Sequence, residues 1–146
     1  MANDFIAKAS TTIQAPAAKV WDVLVDPDKI REYMFGTNVE SDWREGSPIT
    51  WKGEWKGKPY EDKGTILRSA APRILEYTHF SPMTGEPDLP ENYHTVTIEL
   101  AEAGPATTVT LTQNHNKTEE ARQESEKNWT MMLDGIRKIV EASGVR

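Results

Sequence analysis

Histidines are the residues best suited to chemistry in this sequence, and there are three: His79, His94 and His115. An imidazole changes charge near neutral pH, so it can carry a proton, orient a polar ligand group or ligate a metal. Each stands in a stretch of alternating residues. Leu75, Tyr77 and His79 alternate with Glu76 and Thr78, and His94, Val96, Ile98 and Leu100 with Thr95, Thr97 and Glu99. Val109, Leu111, Gln113 and His115 alternate with Thr108, Thr110 and Thr112. This pattern predicts half-buried antiparallel strands, with the histidines on the inward phase. If the connection over 80–92 joins neighbouring strands symmetrically, His79 faces His94. If Gly104-Pro105 closes the next hairpin, Gln113 comes opposite His94, with His115 one step beyond. Directly opposed Cβ atoms lie about 4.5–5.5 Å apart, so imidazoles and an amide would gather at one end of the sheet. His79 and His94 are the candidates for a catalytic base. No carboxylate stands at a spacing that completes a metal site, so no metal is assigned. The plainer alternative is a row of hydrogen-bonded or half-exposed rim histidines, and a one-residue slip would turn any of them outward.

The tryptophans form a second group, five in all. Trp51, Trp55 and Tyr77 fall on the inward phase of their strands, and Trp129 and Met132 on the inward face of the last helix. Rings with a polar edge pack an apolar ligand and still donate a hydrogen bond. Trp51, Trp55, Tyr77, Trp129 and Met132 therefore join His79, His94 and Gln113 as candidate ligand-binding residues. The competing reading is that they simply fill the core, which is the reading preferred for Trp21. Asp62 and Arg68 share a phase with Gly64 and Ile66. Facing inward they would be a polar anchor in need of partners, but strand-end charges of this kind are more often solvated.

The elements that must position these groups can be read in order. Residues 5–14 have strand character. Ala15-Pro16 opens a helix with a stripe of Val20, Trp21, Leu24 and Val25, and Pro16 suits its first turn. Asp26-Pro27 breaks it and starts a second short helix carrying Ile30, Tyr33 and Met34, which Gly36 ends. The period then drops to two through Val39, Ser41 and Trp43, and again through Ile49, Trp51, Gly53 and Trp55, with a turn at Gly57-Lys58. Residues 80–92 hold Pro82, Gly85, Pro87 and Pro90, which exclude a regular element and leave a lid or an exposed excursion. A last helix is predicted over 118–142, with Thr118 as N-cap and acids in its first turn. Its stripe of Trp129, Met132, Leu133, Ile136, Ile139 and Val140 must lie on the sheet. The charged run over 119–127 is read as a solvated face without function.

Composition narrows the function classes. The chain has 146 residues, enough for one core, and is expected to form a single domain over 1–146. A net charge of −6 argues against nucleic acid as a partner. No apolar run is long enough to span a membrane. The N-terminal Met1-Ala2-Asn3-Asp4 lacks a signal-peptide pattern, and the absence of cysteine excludes disulfides and thiolate chemistry, which suits a reducing cytoplasm. There is no Gly-rich phosphate loop, nucleophile elbow or His-Glu-x-x-His pattern, so no cofactor is assigned.

Taken together, the order of strand, two helices, about six strands and long helix resembles the SRPBCC (START-like, helix-grip) superfamily. Within it, the chain is similar to the group named for the C-terminal domain of the activator of the heat-shock-protein-ninety ATPase. The likeness is carried by Ile13-Gln14-Ala15-Pro16 with Val20-Trp21, Asp26-Pro27, Ile49-Thr50-Trp51-Lys52-Gly53, and Lys63-Gly64-Thr65-Ile66. It continues in Pro72-Arg73-Ile74-Leu75-Glu76-Tyr77-Thr78, Val96-Thr97-Ile98-Glu99-Leu100, Thr107-Thr108-Val109-Thr110-Leu111 and Trp129. Asn128 stands where the family often has Gly. The resemblance implies an α+β fold in which a curved antiparallel sheet of about seven strands wraps a long C-terminal helix over a cavity. It further implies a small hydrophobic or amphipathic ligand, with a cyclase- or dehydratase-like enzyme or a chaperone-binding module as alternatives, and leaves a homodimer open.

Overall fold

In the computed structural model, residues 5–82 and 85–142 are described, Trp55 through its backbone alone. The alternating stretches form strands β1 (Phe5–Ile13), β2 (Asn38–Glu40), β3 (Pro48–Trp55), β4 (Lys58–Ala70), β5 (Ile74–His79), β6 (His94–Ala103) and β7 (Ala106–Asn116). They make one seven-stranded antiparallel sheet in the order β1-β7-β6-β5-β4-β3-β2. Helices α1 (Ala17–Leu24) and α2 (Pro27–Tyr33) follow β1, and α3 (Glu119–Ala142) closes the chain.

The core lies between the sheet and the helices. Met132, Leu133, Ile136 and Val140 of α3 are buried against Ile13, Val109, Leu111, Ile98 and their neighbours, while Trp129 and Ile139 are partly buried at its margin. Trp21 is a core residue of α1. At its start, α3 is capped by Thr118, whose Oγ1 accepts from the Ala121 N–H at 3.0 Å. Its closest approach is to β1 at one edge of the sheet, with further contact to α1, α2 and β7. Two carboxylates hold it there: Glu126 accepts from the Lys8 N–H and Glu141 from the Gln14 N–H, each at 3.0 Å. The opposite part of the sheet, around β3 to β5, stands further from the helix, and that is where space remains.

Some expectations need correction. The alternation through Val39, Ser41 and Trp43 becomes a strand only over Asn38–Glu40. Beyond it the Ser41 hydroxyl accepts from the Trp43 N–H and Asp42 from the Arg44 N–H, local bonds that compete with a ladder. The β3–β4 turn is Lys56-Gly57, both at positive φ, one residue earlier than expected. Gln113 pairs with Val96, not with His94, because the hairpin turn places Ala103 opposite Ala106. His115 has φ 60° and is exposed, so it leaves the inward phase. Asn116 takes the buried place instead, donating to the carbonyls of Gln113 and Phe5.

Candidate functional site

His79 faces His94 across β5 and β6, their rings stacked with centroids 6.4 Å apart. His79 also meets Trp51 edge to face at 4.9 Å, and Trp51 lies 5.3 Å from Tyr77. Trp51 is directly opposite Asp62 on β4. The imidazole Nε2 of His79 is 2.9 Å from Asp62 Oδ2. An ionised carboxylate only accepts, so in this pair the His79 Nε2–H is the donor. The second oxygen, Asp62 Oδ1, is out of water and has no partner.

Two glycines make this arrangement possible. A Cβ on Gly64 would stand 1.7 Å from the carbonyl oxygen of Thr78, so β4 can press onto β5 beside His79 only with a hydrogen there. A Cβ on Gly53 would fall 2.6 Å from the Tyr60 hydroxyl, and its absence lets that ring cross β3. The β4 bulge between Ile66 and Arg68 then reverses the phase. Asp62 stays half-buried, whereas Arg68 is exposed with its Nε 3.7 Å from Glu76.

Around these groups lies a cavity of about 450 Å³. The sheet contributes Trp51, Tyr60, Asp62, Tyr77, His79 and Gln113. From α3 come Ser125, Asn128, Trp129 and Met132, spaced by three and four on one face. The end of α2 and the turn after it add Tyr33, Met34, Phe35 and Thr37. Phe35 has φ 56° and is 75% exposed, an apolar ring at the cavity margin. Trp129 Nε1–H donates to Gln113 Oε1 at 2.8 Å and ties helix to sheet. Burial pushes the Tyr77 and Tyr33 hydroxyls above the usual phenol range, so both stay neutral near pH 7.

Not every predicted residue lines this space. His94 opens onto a second cavity of about 350 Å³, which also touches His115 and is bordered by Glu86, Glu91 and Lys117. Its Nδ1 lies 2.8 Å from the Asn114 carbonyl oxygen. Gln113 and Ser125 border both cavities. The side chain of Trp55 lies outside the described set. Sequence reasoning missed Tyr33, Met34, Phe35, Thr37, Tyr60, Ser125 and Asn128. Ser125 and Asn128 had a signal, since they continue the Trp129–Met132 face upstream, and Tyr33 and Met34 had one as the stripe of the second short helix. Among the described residues no third His, Cys, Asp or Glu joins Asp62 and His79 as a metal site.

An open antiparallel sheet with two short helices after its first strand and a long C-terminal helix defines the helix-grip class. The chain belongs to the family described as Activator of Hsp90 ATPase homolog 1-like protein, whose model matches residues 14–141. A Cytophaga hutchinsonii protein known from its solution structure is 58% identical, with a TM-score of 0.83 and 94% of each chain covered. CalU16 from Micromonospora echinospora is 24% identical with a TM-score of 0.71, covering 93% of this chain and 74% of its own. A Mesorhizobium loti protein is 16% identical with a TM-score of 0.78, covering 96% of this chain and 99% of its own. The last two likenesses concern the fold alone. No curated protein matches the sequence significantly. No described helix is long and apolar enough to cross a membrane.

Proposed function

We propose that this protein binds a small amphipathic molecule between the sheet and α3. The observation that carries the reading is the cavity of about 450 Å³, apolar along Trp51, Tyr77, Trp129 and Met132 and polar at Asp62, His79 and Gln113. That size falls in the usual range for small-molecule sites, about 300–1,000 Å³. Two-sided character of this kind holds an apolar body and orients one polar end. In this reading Gln113 and Trp129 brace the helix side, and His79 and Asp62 form the polar end. Membership of a helix-grip family, whose members commonly bind ligands in this space, supports it.

The test is a titration with ten-carbon amphiphiles, read by tryptophan fluorescence and by amide chemical shifts. Trp51 and Trp129 border the cavity, so a saturable emission change is expected, with shifts concentrated at the lining residues of β3, β4, β5, β7 and α3 and at the end of α2. Absence of saturable change with every amphiphile tried would overturn the proposal.

A further inference from the structure

We infer that the cavity selects ligands whose polar end donates hydrogen bonds and bears no negative charge, such as an alcohol or a protonated amine on an apolar body. This inference rests on the binding function proposed above and specifies its ligand class. It follows from where the polar hydrogens of the wall already go. The Trp129 indole N–H is taken by Gln113 Oε1. The Ser125 hydroxyl donates to Asn116 Oδ1 at 2.8 Å. Thr37 donates to the Met34 carbonyl at 2.9 Å, so in its 2.6 Å contact with Tyr60 it is the tyrosine that donates. The imidazole proton of His79 is directed at Asp62. The hydroxyl oxygens of Ser125, Thr37 and Tyr60 are left with lone pairs to offer and no hydrogen, and the indole has no further hydrogen to give.

Asp62 adds to the same imbalance. Its side chain borders the cavity and keeps 16% of its surface exposed, so the carboxylate offers acceptor lone pairs and a negative charge there, while Oδ1 itself is out of water. Among the described residues bordering the cavity, none is Lys or Arg. A carboxylate-headed ligand would therefore meet an acidic side chain and no fixed cation. The Gln113 amide, the Asn128 amide and the Tyr77 hydroxyl can still donate, but they are neutral and do not offset that repulsion.

The experiment compares 1-decanol, decylamine and decanoate, which share one chain and differ in the head. Each is titrated below its solubility limit or micelle concentration at pH 7.5, into the wild type and into Asp62→Asn. Expected is binding of decanol and decylamine, decanoate at least tenfold weaker, and a smaller gap in the variant. Decanoate binding the wild type as tightly as decanol would overturn the inference while leaving the binding function intact. A gap that persists in folded Asp62→Asn would overturn the role given to Asp62. Failure of all three to bind the wild type would reject the binding function and this inference with it.

Discussion

At the scale of single residues, a hydrogen in place of a methyl group sets the geometry of the site. Gly64 carries no strain from its dihedrals, yet backbone occupies the space where its Cβ would be, 1.7 Å from the Thr78 oxygen. No side-chain rotation can relieve such a clash, so β4 must move away from β5. Gly64→Ala should lower stability by about 1–3 kcal/mol, the usual cost of forced overpacking, seen as a fall in the urea midpoint. Because Thr78 neighbours His79, the same variant should perturb the His79 ring resonances. A midpoint equal to wild type would mean that the two strands are free to separate there. Asp62 is the second decisive residue. Its carboxylate stands beside Trp51 and binds His79, so a charge that sequence alone left between anchor and solvated end becomes part of the cavity wall.

At the scale of elements, α3 does more than supply an apolar stripe. β1 is an edge strand, and free edge N–H groups invite pairing with other chains. Glu126 and Glu141 accept from the Lys8 and Gln14 N–H groups, so the helix covers part of that edge. The run over 119–127 was expected to be purely solvated, but it supplies Glu126 to the edge and Ser125 to the cavity. The N-cap governs this first turn. Thr118→Ala removes the acceptor for the Ala121 N–H and should lower stability by about 1 kcal/mol. Amide exchange should rise selectively over the first turn of α3, and uniform exchange along the helix would contradict the capping role.

At the scale of the whole molecule, exposed ion pairs make the fold sensitive to acid. Hydrogen bonds from Arg122 and Gln123 hold the Glu119 carboxyl at about 2 instead of its ordinary 4.5. Asp42, Asp88 and Asp134 are also held below the ordinary range, chiefly by hydrogen bonds with Ser47, Lys63 and Arg137 respectively. A carboxyl depressed in the folded state binds its proton more readily when unfolded. Its stabilisation is therefore complete above the unfolded value and is lost as pH falls through the folded one. Thermal midpoints should hold steady from pH 7 to about 5, then fall progressively between about 4.5 and 2, with salt weakening the effect because these groups are exposed. A midpoint unchanged down to pH 2 would refute this. Asp88 also ties residues 85–92 to the sheet through Lys63, and because its carboxyl is held low that tie should be lost only at the acid end of this range.

Periodicity in the sequence determined the strands, the helices and which side of each is apolar, because burial of a repeating face is a local property. Thus Met132, Leu133, Ile136 and Val140 could be assigned inward before any coordinates, while His79 opposite His94 followed only if the 80–92 connection joined its strands symmetrically, as it does. Register beyond a bulge or turn was not legible in the same way. Gln113 faces Val96 because the hairpin turn sets Ala103 against Ala106, whereas His115 turned out and Arg68 reversed phase because one extra residue in a strand changes every side that follows. Only the tertiary structure brought Tyr60, Phe35, Thr37 and Ser125 to one cavity and paired Asp62 with His79. These residues are distant in the chain, and their meeting depends on how closely strands pass at Gly53 and Gly64 and on how far α3 stands from β3 to β5.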